Sequence, residues 1–394
     1  MEKVGVESNN IPLSAPDVHA DDRQAVIDLL DGPILSIGPK IEQFEGQLAQ
    51  ASNRRHAIAV SSGTSALHLI VRALGWGEGD EVITTPFSFV ASTNCLLYER
   101  VTPVFVDIEP ETRALDPGRI ESAITARTVG ILPVDVFGVP SAWARFDDAA
   151  RRYGLKWITD SCESLGASTR INGEIVKGGQ SGVAGAFAFY PNKQITTGEG
   201  GAVVTDDDDL AAQCRSMRNQ GRDVGAGWLQ HARLGFNYRL SELNAALGSS
   251  QISRLPSIVA SRQRAVDRYA ELLAPWRELC DVPHCAGDAT ASWFVYVIQL
   301  ADRFTRDDRD AMLQGLRAEG IGCSNYFSPI HLQPYVAQRF GFRRGDFPVT
   351  ERIADRTIAL PFFTQITAEQ QARVVEALAR QLERAVSARS GVTM

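Results

Sequence analysis

The chain has 394 residues, 44% of them hydrophobic, enough to bury a large core and to build one large domain plus a smaller one. Its formal net charge of -7 carries no basic stripe for nucleic acid, no basic amphipathic helix for a membrane surface and no apolar run able to span a bilayer. The opening MEKVGVESNNIPLSAPDVHADD is acidic and polar, unlike a signal peptide. The six cysteines (95, 162, 214, 280, 285, 323) form no C-x-x-C pair, so no metal or dithiol site is expected, and reduced thiols in a cytoplasmic protein are.

From about residue 55 to 205 short β-rich runs alternate with longer helical ones. HAIAVSS reads as a strand and TSALHLIVRAL as a helix; DEVITT is a strand and FVASTNCLLYE a helix. TPVFVDI, VGILPVDV, LKWITD, AGAFAFY and GAVVTD are further strands, with helical stretches such as SAWARFDDAARRYG between several of them. This alternation predicts an α/β fold whose largely parallel central sheet is covered by helices on both faces. Ligands of such sheets sit beyond the carboxyl ends of the strands. After about residue 250 come the helices SELNAALGSSQISRL and ASRQRAVDRYAELLAPW, the strand SWFVYVIQL, the helix RDDRDAMLQGLRAEG and a closing amphipathic helix, TAEQQARVVEALARQLERAVSA. The expected organisation is a large α/β domain over 1–250, with an N-terminal arm, and a small C-terminal α+β domain over 251–394.

Three segments at strand ends can carry chemistry. Ser61-Ser62-Gly63-Thr64-Ser65 lies between a strand and a helix, where amides, hydroxyls and the helix N-terminus can hold a phosphate; an ordinary N-cap is the alternative. It is neither a Walker loop nor a dinucleotide fingerprint. In WITDSCESLGA, Asp160 ends an apolar strand with Glu163 three residues on. A carboxylate buried there needs a cation, such as a protonated pyridine nitrogen, unless it is the N-cap of the next helix. In FAFYPNKQITTGEGGAVV, Lys193 follows Phe187, Phe189 and Tyr190 and precedes a glycine-rich run. The chain has five lysines, at 3, 40, 156, 177 and 193. The first four sit in polar contexts and read as surface residues, whereas Lys193 reads as a desolvated amine able to form a Schiff base.

Phosphate cup, buried acid and desolvated lysine are together what pyridoxal 5'-phosphate (PLP) needs. An aromatic over the ring face is also expected, and TTPFSFVAST offers Phe87 and Phe89. At this point the chain resembles, nearly end to end, the DegT/DnrJ/EryC1/StrS family of PLP-dependent sugar aminotransferases. The resemblance rests on SSGTSALHL, DEVITTPFSFVAS, DSCESLGA, FYPNKQITTGEGGAVVT, LGFNYRLSELNAALG, YFSPIHLQPY and ALPFF.

The resemblance implies the aspartate-aminotransferase (type I) fold, with Lys193 as Schiff-base lysine and Asp160 as partner of the pyridine nitrogen. It implies Glu163 near the ring hydroxyl, Phe89 as the stacking aromatic, and Gly63, Thr64 and Ser65 as the phosphate cup. Asn237 in FNYRLSE resembles the asparagine that reaches the phosphate from a neighbouring subunit, which implies a homodimer with shared active sites. Two positions depart from the family's pattern. Ala188 stands where many members have a phosphate-binding serine, a contact that is either lost or made by another group such as Ser62 or Ser65, and Asp135 stands where many have histidine, a position that bears on substrate recognition. Relatives that deoxygenate carry histidine at the reactive position, so the retained Lys193 implies amino transfer. The implied substrates are L-glutamate as donor and a nucleotide-linked keto sugar, with Tyr326 and His331 on the sugar-nucleotide side, although His331 also suits a purely structural hydrogen bond. Members reading T-T-G-E-G-G after the lysine aminate at C-4, and this chain has that run at 196–201, which implies a 4-keto-6-deoxy hexose. The alternatives are a keto-cyclitol aminotransferase or an aminoshikimate-type dehydratase, both also found in the family, and a non-catalytic PLP-binding regulator on the same fold, against which the intact Lys193, Asp160 and Asn237 argue.

Overall fold

The computed structural model describes residues 10–390 apart from 226, 228 and 286; Lys3 lies outside the described residues. Two helices come first, α1 (Ala20–Leu30) and α2 (Pro39–Ser52). The alternating region follows: β1 (His56–Val60), α3 (Gly63–Ala73), β2 (Glu81–Thr84), α4 (Ala91–Tyr98), β3 (Thr102–Phe105), α5 (Ile120–Ala123), β4 (Thr128–Leu132), α6 (Trp143–Tyr153) and β5 (Lys156–Asp160). A hairpin of β6 (Ser168–Ile171) and β7 (Glu174–Lys177) precedes β8 (Ala184–Ala188), β9 (Gly201–Thr205), α7 (Asp208–Arg218), α8 (Glu242–Ser253) and α9 (Leu255–Leu272). The chain closes with β10 (Cys280–Asp281), β11 (Tyr296–Leu300), α10 (Arg306–Ala318), α11 (Pro334–Phe340), α12 (Pro348–Ala354), β12 (Thr357–Leu360) and α13 (Ala368–Ser390). Among the described residues no helix is long and apolar enough to cross a membrane.

Seven strands form the main sheet in the order β1-β9-β8-β5-β4-β2-β3. All run parallel except β9, which is antiparallel to both β1 and β8. Side chains on a strand alternate between faces, and β1 does so cleanly. Ile58 and Val60 join Leu67, Ile70 and Val71 of α3, while Ala57 and Ala59 join Phe44 and Leu48 of α2. Both faces are therefore buried, the condition under which a parallel sheet is stable. Helix α2 owes its start partly to a distant residue. The Glu242 carboxylate accepts from the amides of Gly38, Lys40 and Ile41, which would otherwise lack partners.

Strands β10, β11 and β12 form a separate antiparallel sheet. Its core takes in Tyr296, Ile298, Leu316, Ile358 and Leu378, together with Ile11 from the start of the described chain. Residue 250, where the sequence expects a boundary, lies near the end of α8. Helix α9 then runs from one core into the other, with Leu255 and Ile258 in the first and Ala265, Val266 and Tyr269 in the second.

Candidate active site

Because β1, β2, β4, β5 and β8 run parallel, their carboxyl ends share one rim of the sheet. That rim brings together the Ser61–Ser65 turn, the Phe87–Phe89 turn, Asp135, the turn carrying Asp160 and Glu163, and the loop carrying Lys193. Contacts between these segments are direct. Ser92 Oγ, one turn beyond Phe89, donates to Asp160 Oδ2 at 2.8 Å, and a Cβ placed on Gly63 would meet Ala188 Cβ at 2.7 Å and Cys162 Sγ at 2.8 Å.

Lys193 is enclosed. Its side chain is 13% exposed, its Nζ lies 3.6 Å from Glu163 Oε1, and it sits 4.1 Å from the centroid of the Phe294 ring. Its main chain is fixed from two sides: its amide donates to Tyr190 O, and Arg262 donates to its carbonyl at 2.9 Å. Arg262 is itself buried and donates also to the carbonyls of Trp293 and Phe294, so one guanidinium ties the lysine's backbone to that of the ring beneath its amine. Of the other described lysines, Lys156 is exposed, and Lys40 and Lys177 are half-buried, with Nζ atoms donating to Gln43 Oε1 and Gln50 O.

Asp160 is buried, and its carboxylate accepts from Ser92 Oγ and from the Cys162 amide at 3.1 Å. Among the described residues it forms no ion pair. Glu163 is also buried and accepts from the Phe137 amide at 2.8 Å. Burial pushes the Glu163 carboxyl up to about 7, against the opposing pull of the Lys193 ammonium. The cofactor-free native state thus holds a proton on Glu163 that the unfolded chain releases near pH 4.5. Its stability should therefore fall as pH rises from about 4.5 to 7, by about 3 kcal/mol from this group. Glu163→Gln should flatten that slope. Urea unfolding of both apoproteins at pH 5 and pH 7 checks it, and parallel pH profiles would refute the assignment.

Ser62 caps α3 by accepting from the Ser65 amide at 3.0 Å, and the hydroxyls of Ser61 and Ser62 lie 3.1 and 2.8 Å from that of Ser65. Ala188 lies against Gly63, the first residue of α3, in the turn that carries this hydroxyl cluster. Thr64 is half-buried in the same turn. Phe87 is buried among Phe137 and Phe327, whereas Phe89 is 61% exposed, so of the two aromatics Phe89 offers a free face. Asn237 is exposed, paired through its backbone with Asn219.

The two residues expected on the sugar side part company. Tyr326 packs edge-on to Phe294 at 6.3 Å; burial first, then the Glu163 charge, holds its hydroxyl above the usual tyrosine range. His331 has no exposed surface. Its Nε2 pairs with Glu351 at 3.0 Å and its ring packs on Phe347, which is the structural alternative open to it. Asp135 is likewise fully buried and holds no substrate-facing surface. Phe294, Ser92, Arg262 and the Phe137 amide were not legible as site residues, because each is an unremarkable member of a strand, helix or turn until the fold brings it to the lysine or its acids.

The sequence profile of the DegT/DnrJ/EryC1/StrS aminotransferase family matches residues 16–379. GDP-perosamine synthase of Caulobacter vibrioides is 36% identical over 369 residues, covering 93% of this chain and 97% of that protein. The structure of S. venezuelae DesV is 32% identical with a TM-score of 0.87, covering 96% of this chain and all of that one. NtdA of Bacillus subtilis, solved with bound cofactor PMP, is 29% identical with a TM-score of 0.83, covering 97% of this chain and 87% of that one. The residues present fit such a cofactor on a structural ground: a buried Asp160 carboxylate without a cation is costly, and a protonated ring nitrogen would meet it.

Proposed function

The chain belongs to the DegT/DnrJ/EryC1/StrS aminotransferase family, a PLP-dependent sugar aminotransferase, and on that premise we propose that it moves an amino group from L-glutamate to C-4 of a nucleotide-linked 4-keto-6-deoxy hexose. The observation that carries the amine-transfer chemistry is an enclosed Lys193 with its amine 3.6 Å from the buried Glu163, and a second buried carboxylate, Asp160, three residues before Glu163 and without a cation. The relative named for GDP-perosamine supports a nucleotide-linked amino sugar as product, and the T-T-G-E-G-G run at 196–201 supports C-4.

Lys193 would hold the cofactor's aldehyde carbon, Asp160 its ring nitrogen, Glu163 its ring hydroxyl, Phe89 its ring face, and Gly63, Thr64 and Ser65 its phosphate. When bound, the cofactor supplies an electron sink for the bond broken at the carbon that carries the nitrogen. The chain does the rest. The Lys193 amine would act as general base and acid for the proton shift, held over Phe294 so that its reach is fixed. Asp160 keeps positive charge on the ring side of the site, and Ser92 and the Cys162 amide hold its carboxylate still. Tyr326, beside Phe294, would meet the sugar nucleotide, and His331 would steady the same segment through Glu351.

Mixing the purified protein with L-glutamate in a single turnover should convert the bound cofactor to its amine form. GDP- or dTDP-linked 4-keto-6-deoxy hexoses should then accept the amine, while the 3-keto isomer and keto-inosose should not. Turnover of keto-inosose alone would move the chain to the cyclitol branch of the family.

We assign the last phosphate contact to Asn237 of the partner subunit in a homodimer; an exposed Asn237 supports this, and Ala188 raises its weight. Lys193→Ala and Asn237→Ala, each inactive, should regain activity when mixed. Their heterodimer has one site with both lesions and one with neither. Confirmed subunit exchange without activity would place Asn237 within its own site.

A further inference from the structure

Asp135 is a fully buried carboxylate with an unusual set of donors. Its Oδ1 accepts from the Ser141 amide at 3.0 Å, Ser141 Oγ at 2.8 Å and Trp143 Nε1 at 2.8 Å. Its Oδ2 accepts from Ser161 Oγ at 2.9 Å and Ser164 Oγ at 2.8 Å, with Thr159 Oγ1 at 3.5 Å. No ion pair joins it among the described residues. Ser161 and Ser164 bracket Cys162 and Glu163, and Ser161 directly follows Asp160. The backbone repeats the pattern: the Asp135 amide donates to Asp160 O at 3.1 Å, the Asp160 amide to Pro133 O, and the Phe137 amide to the Glu163 carboxylate. The two segments 133–137 and 160–164 are thus laced along their whole length, and the side-chain half of the lacing converges on one carboxylate.

We infer that Asp135 is a positioning residue that fixes the Asp160 and Glu163 carboxylates relative to each other, acting through Ser161 and Ser164. The inference rests on the roles given above to those two acids. Ring nitrogen and ring hydroxyl lie on one rigid cofactor, so two carboxylates meant for them must keep a set separation. Asp160 ends β5 and Glu163 lies three residues on in an irregular turn, so no single regular element imposes one. Hydroxyl donors to a single buried acceptor supply that constraint, because without it the Ser161 hydroxyl can donate only to Thr159 Oγ1 at 3.2 Å and the Ser164 hydroxyl only to Ser161 O at 3.5 Å. Asparagine could serve nearly as well. Its carbonyl can take the three donors on the Oδ1 side, and its amide can donate to Ser161 and Ser164, whose hydroxyls rotate to accept.

The test uses the holoenzyme and two readouts, kcat and the midpoint of the pH titration of the bound cofactor's visible band. Asp135→Ala should lower kcat by about 10²-fold, the cost of a small displacement of reacting groups, and should move the midpoint. Asp135→Asn should restore most of both. A folded Asp135→Ala with unchanged kcat and midpoint overturns the inference, as does an Asp135→Asn no better than alanine, since charge rather than hydrogen bonding would then be at work. Should Asp135→Ala not fold, the double variant Ser161→Ala/Ser164→Ala carries the test. A shifted midpoint supports the inference and an unmoved one overturns it. Asp160→Asn is measured alongside. Full turnover there overturns the role of Asp160 itself, whereas an impaired Asp160→Asn beside unaffected Asp135 variants overturns this inference alone.

Discussion

Lys193→Ala should give a folded protein to which borohydride fixes no cofactor, with turnover lower by about 10⁴-fold or more, the upper end of what a positioned general acid–base contributes. The fold should survive because the hydrogen bonds by which Lys193 holds this loop are made by its main chain: its amide to Tyr190 O, and its carbonyl to Arg262. The lost ammonium leaves Glu163 facing no cation, but Glu163 already titrates near 7 and can take up a proton rather than remain as a stranded charge. Among the described residues no second lysine amine stands ready. Lys40 and Lys177 donate to groups of their own, and Lys156 begins β5 at the end opposite Asp160. Absorbance of the purified variant and peptide mass after borohydride read the result. Cofactor fixed at another lysine would reassign the reactive amine.

Asp160→Asn should retain cofactor and fold yet lose about 10²–10³-fold in turnover, about 3–4 kcal/mol, the scale of removing one preorganised electrostatic group. An asparagine keeps the side chain's shape and can still accept from the Cys162 amide through its carbonyl, while its amide can donate to Ser92 Oγ. What it cannot do is hold a positive ring nitrogen, so the defect should fall on the chemical step and not on retention of the phosphate. Rapid mixing with glutamate, beside a measurement of bound cofactor, separates the two. Near-normal rates would mean that another residue faces the nitrogen.

Periodicity made the alternating region readable, since β1, β5, β8 and β9 are apolar runs with turn residues at both ends. It did not show that β9 runs against its neighbours, because strand direction is set by connection and not by composition. The β6–β7 hairpin turns at Asn172-Gly173, both at positive φ, a signal easily passed over inside a strand–helix pattern. Helices α1 and α2 were hidden in a polar arm; Ile27 and Leu30 of α1 are about half exposed, and the start of α2 depends on Glu242, some two hundred residues on. At the site, Lys193 and Asp160 stood out because each breaks the character of its surroundings, a lysine among aromatics and an acid ending an apolar strand. Asp135 gave no such sign of its role. Its partners lie 6 to 29 residues away and meet only when β4 and β5 pair.

Arg262 constrains any attempt to exchange substrate preference by grafting the C-terminal part of a relative onto this chain. The guanidinium belongs to α9, its carbonyl partners at 293 and 294 precede β11, and its third partner is Lys193 itself. A crossover placed after α9 would separate the arginine from two of its acceptors; one placed before it would ask the donor to present an arginine in the same register. Lysine would be a poor substitute, since a compact ammonium lacks the fork that reaches three carbonyls at once. A workable chimera carries α9 and β11 together and keeps an arginine at this position, so Lys193 stays seated whatever part is grafted.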